Sequence, residues 1–148
     1  MADAPVTHPY FQVGVLVEDL EAAREELSNA LGLEWSDIVV RENGPWTIRV
    51  CFAKQGPPYL ELIEGPPGSP WEATHGSRID HIGYWVDDLD ASKKRLDDAG
   101  IALEHDGSAH GGVFTYHRGT KSGLRVELID KSGQAPFYER WGLEPPAA

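Results

Sequence analysis

Apolar and polar positions alternate at the start of the chain. Over residues 10–17, Phe11, Val13, Val15 and Val17 alternate with Gln12, Gly14 and Leu16, which predicts a half-buried strand. The period then changes. Asp19 stands where a helix N-cap belongs, Leu20, Ala23, Leu27, Ala30 and Leu31 recur at helical spacing, and Gly32 supplies a stop. Three more strands are predicted at about 34–41, 46–53 and 59–64. They are separated by the turn residues Asn43-Gly44-Pro45 and Gln55-Gly56-Pro57-Pro58.

The same order then repeats. A strand at 79–86 leads to Asp88 as a cap and a helix carrying Leu89, Leu96 and Ala99, ended by Gly100. Strands follow near 101–105, 113–117 and 124–130. The repeat extends to the letters themselves: FQVGVLVEDL at 11–20 matches DHIGYWVDDL at 80–89, with Gly14 aligned on Gly83. Each half also closes on a similar strand, YLELIE at 59–64 and RVELID at 125–130. A duplicated module is the strongest architectural signal in the chain. It divides the sequence into a first module at 8–64, a linker at 65–78, a second module at 79–131 and a tail at 132–148. The linker is short and rich in proline and glycine, so the modules should pack on each other. Trp71 within it reads as a core anchor or a wall of a pocket. Phe137, Tyr138 and Trp141 suggest that the tail docks as a short helix.

The 148 residues suit one domain made of two half-size modules. A net charge of −11 argues against nucleic acid as a partner. No apolar run approaches the roughly 18 residues that span a bilayer, so no membrane partner is expected. The first ten residues lack the basic-then-apolar order of a signal peptide, which makes a cytoplasmic protein the expectation. The single Cys51 lies in an apolar strand pattern and reads as a buried, inert thiol.

Four polar residues break the apolar strands at repeat-related positions. Gln12 and His81 each stand two residues before the aligned glycine; Glu61 and Glu127 are each flanked by apolar residues in the closing strands. Taken singly, His81 is an ordinary pocket histidine, and Glu61 or Glu127 would be neutralised by Arg49 or Arg125. Taken together, they are three oxygen donors and one nitrogen donor, a set suited to a divalent ion with open positions.

Two βαβββ modules with this strand, acidic pair and leucine entry, and with a V-E-L-I ending, resemble the vicinal oxygen chelate superfamily. That group includes glyoxalase I, methylmalonyl-CoA epimerase, extradiol dioxygenases, fosfomycin-resistance enzymes and bleomycin-binding proteins. The resemblance covers residues 8–131. It implies an α+β fold in which paired modules form a half-open eight-stranded cup. It also implies metal ligation by Gln12, Glu61, His81 and Glu127 within one chain. The expected ion is zinc first, with nickel, cobalt, manganese or iron as alternatives, and the expected assembly is a homodimer. Glu127 would be both ligand and proton shuttle.

The implied function is that of an isomerase, epimerase or lyase acting on a small carbonyl or thioester substrate through a metal-stabilised enediolate. The alternative is a non-catalytic protein of the same fold that binds an antibiotic or aromatic metabolite. Gln12 removes the two-histidine, one-carboxylate triad of an extradiol dioxygenase. Arg49 falls where the epimerase has its second proton-transferring glutamate; an arginine there holds an anion rather than moving a proton. Arg49, Tyr116, His117 and Arg118 are the expected substrate contacts.

Overall fold

The structure is a computed structural model that describes residues 5–6 and 8–145. The first half runs β1 (Gln12–Leu16), α1 (Leu20–Leu31), β2 (Val39–Asn43), β3 (Trp46–Phe52) and β4 (Tyr59–Glu64). The second half repeats it with β5 (Arg78–Val86), α2 (Leu89–Asp98), β6 (Ala102–Asp106), β7 (Phe114–Arg118) and β8 (Arg125–Asp130). A final helix, α3 (Gln134–Trp141), closes the chain. The fold is α+β, as the repeat predicts. All eight strands form one curled sheet in the order β2-β3-β4-β1-β5-β8-β7-β6. The two halves therefore meet at its centre, where β1 runs antiparallel to β5. Among the described residues no helix is long and apolar enough to cross a membrane.

Helix entry follows the sequence pattern. The Asp19 side chain accepts the Ala22 N–H and Asp88 accepts the Ala91 N–H, so both helices begin on repeat-equivalent caps. Gly32 ends α1 in the left-handed conformation that its missing Cβ permits. Helix α1 covers the outer face of the first half, with Leu20 buried against Val17, Cys51 and Leu62. Helix α2 lies against β8, β6 and β7.

The larger core lines the inside of the cup. Phe11 stacks on Trp85 with ring centroids 4.1 Å apart, and Phe137 of α3 meets Phe11, Phe52 and Trp85 edge-on. The tail is thus a docked helix whose Tyr138 and Trp141 are buried. At the other end of the sheet the edge strands approach without pairing: Asn43 Oδ1 of β2 lies 2.9 Å from His105 Nε2 of β6.

One strand departs from expectation. Strand β2 spans Val39–Asn43, later than the predicted 34–41. The residues before it cross beneath α1. There Trp35 donates its indole N–H to Ser28 Oγ, and Ser36 Oγ accepts the Phe52 N–H. Backbone pairing shrinks here to an isolated Trp35–Ala53 bridge, with the Ser36 N–H donating to the Phe52 carbonyl and the Lys54 N–H to that of Glu34; regular pairing begins at Val39 and sets Arg41 mid-strand, opposite Ile48.

Cys51 is fully buried under α1, and burial pushes its thiol up to about 12. Ellman's reagent at pH 8 should leave the folded protein unmodified and titrate about one thiol per chain after unfolding in urea. Rapid labelling of native protein would show that α1 does not cover this face.

Candidate functional site

The central pairing of β1 with β5 builds the site. Its register sets Gln12 opposite Gly83 and Gly14 opposite His81. Each of the aligned glycines thereby makes room for the polar residue of the other half. A Cβ on Gly14 would overlap the imidazole ring of His81, and one on Gly83 would lie 2.6 Å from Gln12 Cγ. Strands β4 and β8 flank this pair in parallel and bring Glu61 and Glu127 alongside.

All four residues converge. Gln12 Nε2 donates to Glu127 Oε2 at 2.6 Å and reaches Glu61 Oε1 at 3.5 Å. His81 Nε2 lies 3.1 Å from Glu61 Oε1 and 3.0 Å from Glu127 Oε2. One ligand atom each from Glu61, His81 and Glu127 falls within 4.8 Å of the others. His81 has no exposed surface, and Gln12 and Glu127 are buried. One chain supplies the whole set.

A second layer holds the histidine. His81 Nδ1 lies 2.8 Å from Asp80 Oδ2, and Arg125 Nη1 donates to the same oxygen at 2.7 Å and to the Pro70 carbonyl at 2.9 Å. Arg125 also lies over the Tyr116 ring, 4.1 Å from its centroid. Strict alternation would put Asp80 and His81 on opposite faces of β5. The register slips here, from Gly14 opposite His81 to Val15 opposite Ile79, so Asp80 is the extra residue of a bulge. A carboxylate behind a histidine fixes its ring orientation and leaves Nε2 to face the cup.

The electrostatics are unusual in one respect. Neither expected arginine neutralises a site glutamate: Arg125 pairs with Asp80, and Arg49 pairs with Glu64 and Glu21. Among the described residues, His81 is the only cation within ion-pair distance of Glu61 or Glu127. Burial raises the Glu61 carboxyl, and the adjacent Glu127 adds to it, against the lowering effect of His81. Burial alone would depress the imidazole, but Asp80, Glu127 and Glu61 outweigh it and hold His81 well above the ordinary histidine range. Two buried carboxylates thus share one proton-dependent counter-charge. This donor set fits a divalent ion, which would replace the shared proton between them.

Gln12, Glu61 and Glu127 open into a cavity of about 390 Å³ whose other walls include Phe52, Trp85 and Phe137. The sequence of residues 11–117 matches the Glyoxalase/Bleomycin resistance protein/Dioxygenase superfamily. The chain belongs to that superfamily. Solved structures share the superfamily fold. Methylmalonyl-CoA epimerase from Mycobacterium tuberculosis is 20% identical, with 93% of this chain and 96% of that chain covered and a TM-score of 0.68. A hypothetical protein from Bacillus halodurans is 17% identical over 83% of this chain and 94% of its own, with a TM-score of 0.67. A mutant 4-hydroxymandelate synthase from Streptomyces coelicolor is 19% identical over 82% of this chain and 47% of its own, with a TM-score of 0.59. No curated protein matches the sequence.

Of the four expected substrate contacts, the structure brings only Tyr116 to the cavity. Its hydroxyl accepts the Trp71 indole N–H at 2.9 Å, and burial, with Glu127 and Glu61 nearby, holds its pKa well above the usual tyrosine value. The other three lie away from it: strand parity turns Arg49 and His117 to other faces, and Arg118 lies further along β7. Ile48 and Val50 face the cup, so Arg49 between them faces α1 and its acidic partners. His117 flanks Tyr116 and points the other way, where it is buried with Nε2 2.7 Å from Thr115 Oγ1. Arg118 lies beyond the cavity, paired with Glu104 at 3.1 Å. Sequence reasoning missed Asp80, Arg41 and Arg140. Only the Asp-His dipeptide hinted at the first.

Gly14→Ala should expel the His81 ring and destabilise the fold by about 1–3 kcal/mol in urea titrations. Gly83→Ala, which meets a flexible side chain, should cost less. An unchanged His81 imidazole resonance in Gly14→Ala would mean that the ring does not depend on this cradle.

Proposed function

We propose that this protein is a metal-dependent isomerase, epimerase or lyase that moves a proton beside the carbonyl of a small carbonyl or thioester substrate. The observation that carries this reading is the pair of glutamates with a single buried imidazole between them, opening into a cavity that has aromatic walls and a polar rim. Gln12, Glu61, His81 and Glu127 would hold a divalent ion, zinc first among the candidates. When bound, such an ion would supply Lewis-acid polarisation of a carbonyl oxygen.

The protein's own groups do the rest. Glu127 lines the cavity and is the proposed base; it takes a proton from the substrate carbon and returns it. Gln12, which donates to Glu127 Oε2, orients that carboxylate. Glu61 stays against His81, and Asp80 with Arg125 keeps the ring from turning. A substrate seated against the aromatic walls would displace water from the site, which strengthens each of these interactions. Arg49 takes no part, so any second proton carrier in an epimerisation must be a group other than the residue at that position.

The solved methylmalonyl-CoA epimerase in complex with methylmalonyl-CoA and NH4+ makes an acyl-CoA thioester one sensible substrate class to assay. It is 21% identical, and 2-oxo compounds and hemithioacetals belong in the same panel. A homodimer would carry two complete sites, since one chain provides every donor.

Protein purified without chelators should carry about one divalent ion per chain, and His81→Ala should lose it. With a substrate from the panel, wild-type protein should incorporate deuterium from heavy water. Glu127→Gln should keep the fold and slow that exchange by about 10²–10⁴-fold. A wild type that exchanges nothing, yet binds an aromatic ligand equally well with and without metal, would establish the sequestering alternative instead.

A further inference from the structure

Two arginines stand at the mouth of the cavity with no carboxylate partner among the described residues. Arg41 comes from β2 and Arg140 from α3, and both line the space into which Glu61 and Glu127 open. Both are exposed, and neither makes an ion pair or side-chain hydrogen bond among the described residues. Glu42 is also on the rim and pairs with neither. Most other arginines in the structure are engaged: Arg49 by Glu21 and Glu64, Arg118 by Glu104, and Arg125 by Asp80.

Like charges brought together without a carboxylate between them repel. Although Arg41 is exposed overall, partial desolvation against the cavity wall and then the charge of Arg140 lower its pKa, while the pull of Glu61 and Glu127 opposes them. Strand β2 positions Arg41 by pairing it with cup-facing Ile48, and α3 is anchored by buried Tyr138 and Trp141 on either side of Arg140. Two elements far apart in the sequence therefore bring cations to one opening in a protein whose net charge is −11. A planar guanidinium pair suits a carboxylate or phosphate, which it can grip through several donors at once.

We propose that Arg41 and Arg140 form an anion subsite, so that the substrate is an organic acid: an anionic group at the mouth, an apolar body along the aromatic walls, and the reacting carbonyl at Glu127. This specifies the substrate class for the proton-transfer reading above and rests on it.

The test compares a ligand with its neutral twin. The protein as purified is titrated with 3-phenylpropionate and with 3-phenylpropionamide, following tryptophan fluorescence, since Trp85 and Trp141 line the cavity. The acid should bind about tenfold tighter than the amide. Arg41→Gln and Arg140→Gln should each reduce that preference, and the double variant should abolish it while leaving amide affinity and the thermal midpoint unchanged. Equal binding of acid and amide to wild type would overturn the proposal. So would a preference that survives in the double variant, because the acid would then be held elsewhere, for example at the metal centre. If neither probe binds, and inorganic phosphate fails to raise the wild-type midpoint relative to the double variant, the proposal also falls. Deuterium exchange is read separately. Its absence alongside an intact acid preference would sink the catalytic reading alone, and exchange without any preference would sink this one alone.

Discussion

The antiparallel pairing of β1 with β5 is the constraint on which the rest of the structure depends. It joins the two halves into one sheet and fixes how they face each other. In that register, Gln12 lies over Gly83 and His81 lies over Gly14. A slip of one residue would turn both side chains out of the cup, because strand faces alternate with period two. The neighbouring parallel pairs then carry Glu61 and Glu127 into range. Duplication supplies the positions, and the antiparallel meeting of the copies makes those positions converge.

The same pairing creates a charge problem that the fold solves unequally. Two carboxylates enter a buried region with one imidazole between them. The arginines that might have relieved them are committed elsewhere, Arg125 to Asp80 and Arg49 to the α1 side. Buried charges without good partners are costly. The structure tolerates them here through an ordered relay in which Arg125 holds Asp80, Asp80 holds His81, and His81 faces both glutamates. Local stability alone would favour a more complete neutralisation.

Much of this was legible in the sequence because it rests on periodicity. The Asp19 and Asp88 caps, both helix starts and the four converging side chains all follow from patterns repeated in the two halves. What escaped depends on departures from pattern. Asp80 reaches the same side as His81 only because a bulge interrupts alternation. Arg41 faces the cavity because the register of β2 on β3 sets it opposite cup-facing Ile48, in a strand that starts later than periodicity predicts. Arg140 arrives on a tail helix that has no counterpart in the repeat. Conversely, Arg49, His117 and Arg118 have suitable chemistry but lie on the wrong face or beyond the cavity, and strand parity decides that more firmly than residue type. Parity read outward from Ile48 and from Tyr116 would have excluded Arg49 and His117.

Trp71 gives the linker a role beyond connection. It is buried, its Cβ packs where Gly65 leaves no side chain, and its indole N–H meets the Tyr116 hydroxyl. On one side of it lies the aromatic-walled cavity. On the other is a polar recess bordered by neighbouring linker residues together with Arg78, Asp80 and Arg125. The segment between the repeats is therefore a partition, with an aromatic-walled cavity in front and a polar recess behind. Surface connections usually absorb added residues at small entropic cost. This one has its length set by the wall it builds, so the distance between the two copies is as much a part of the architecture as the copies themselves.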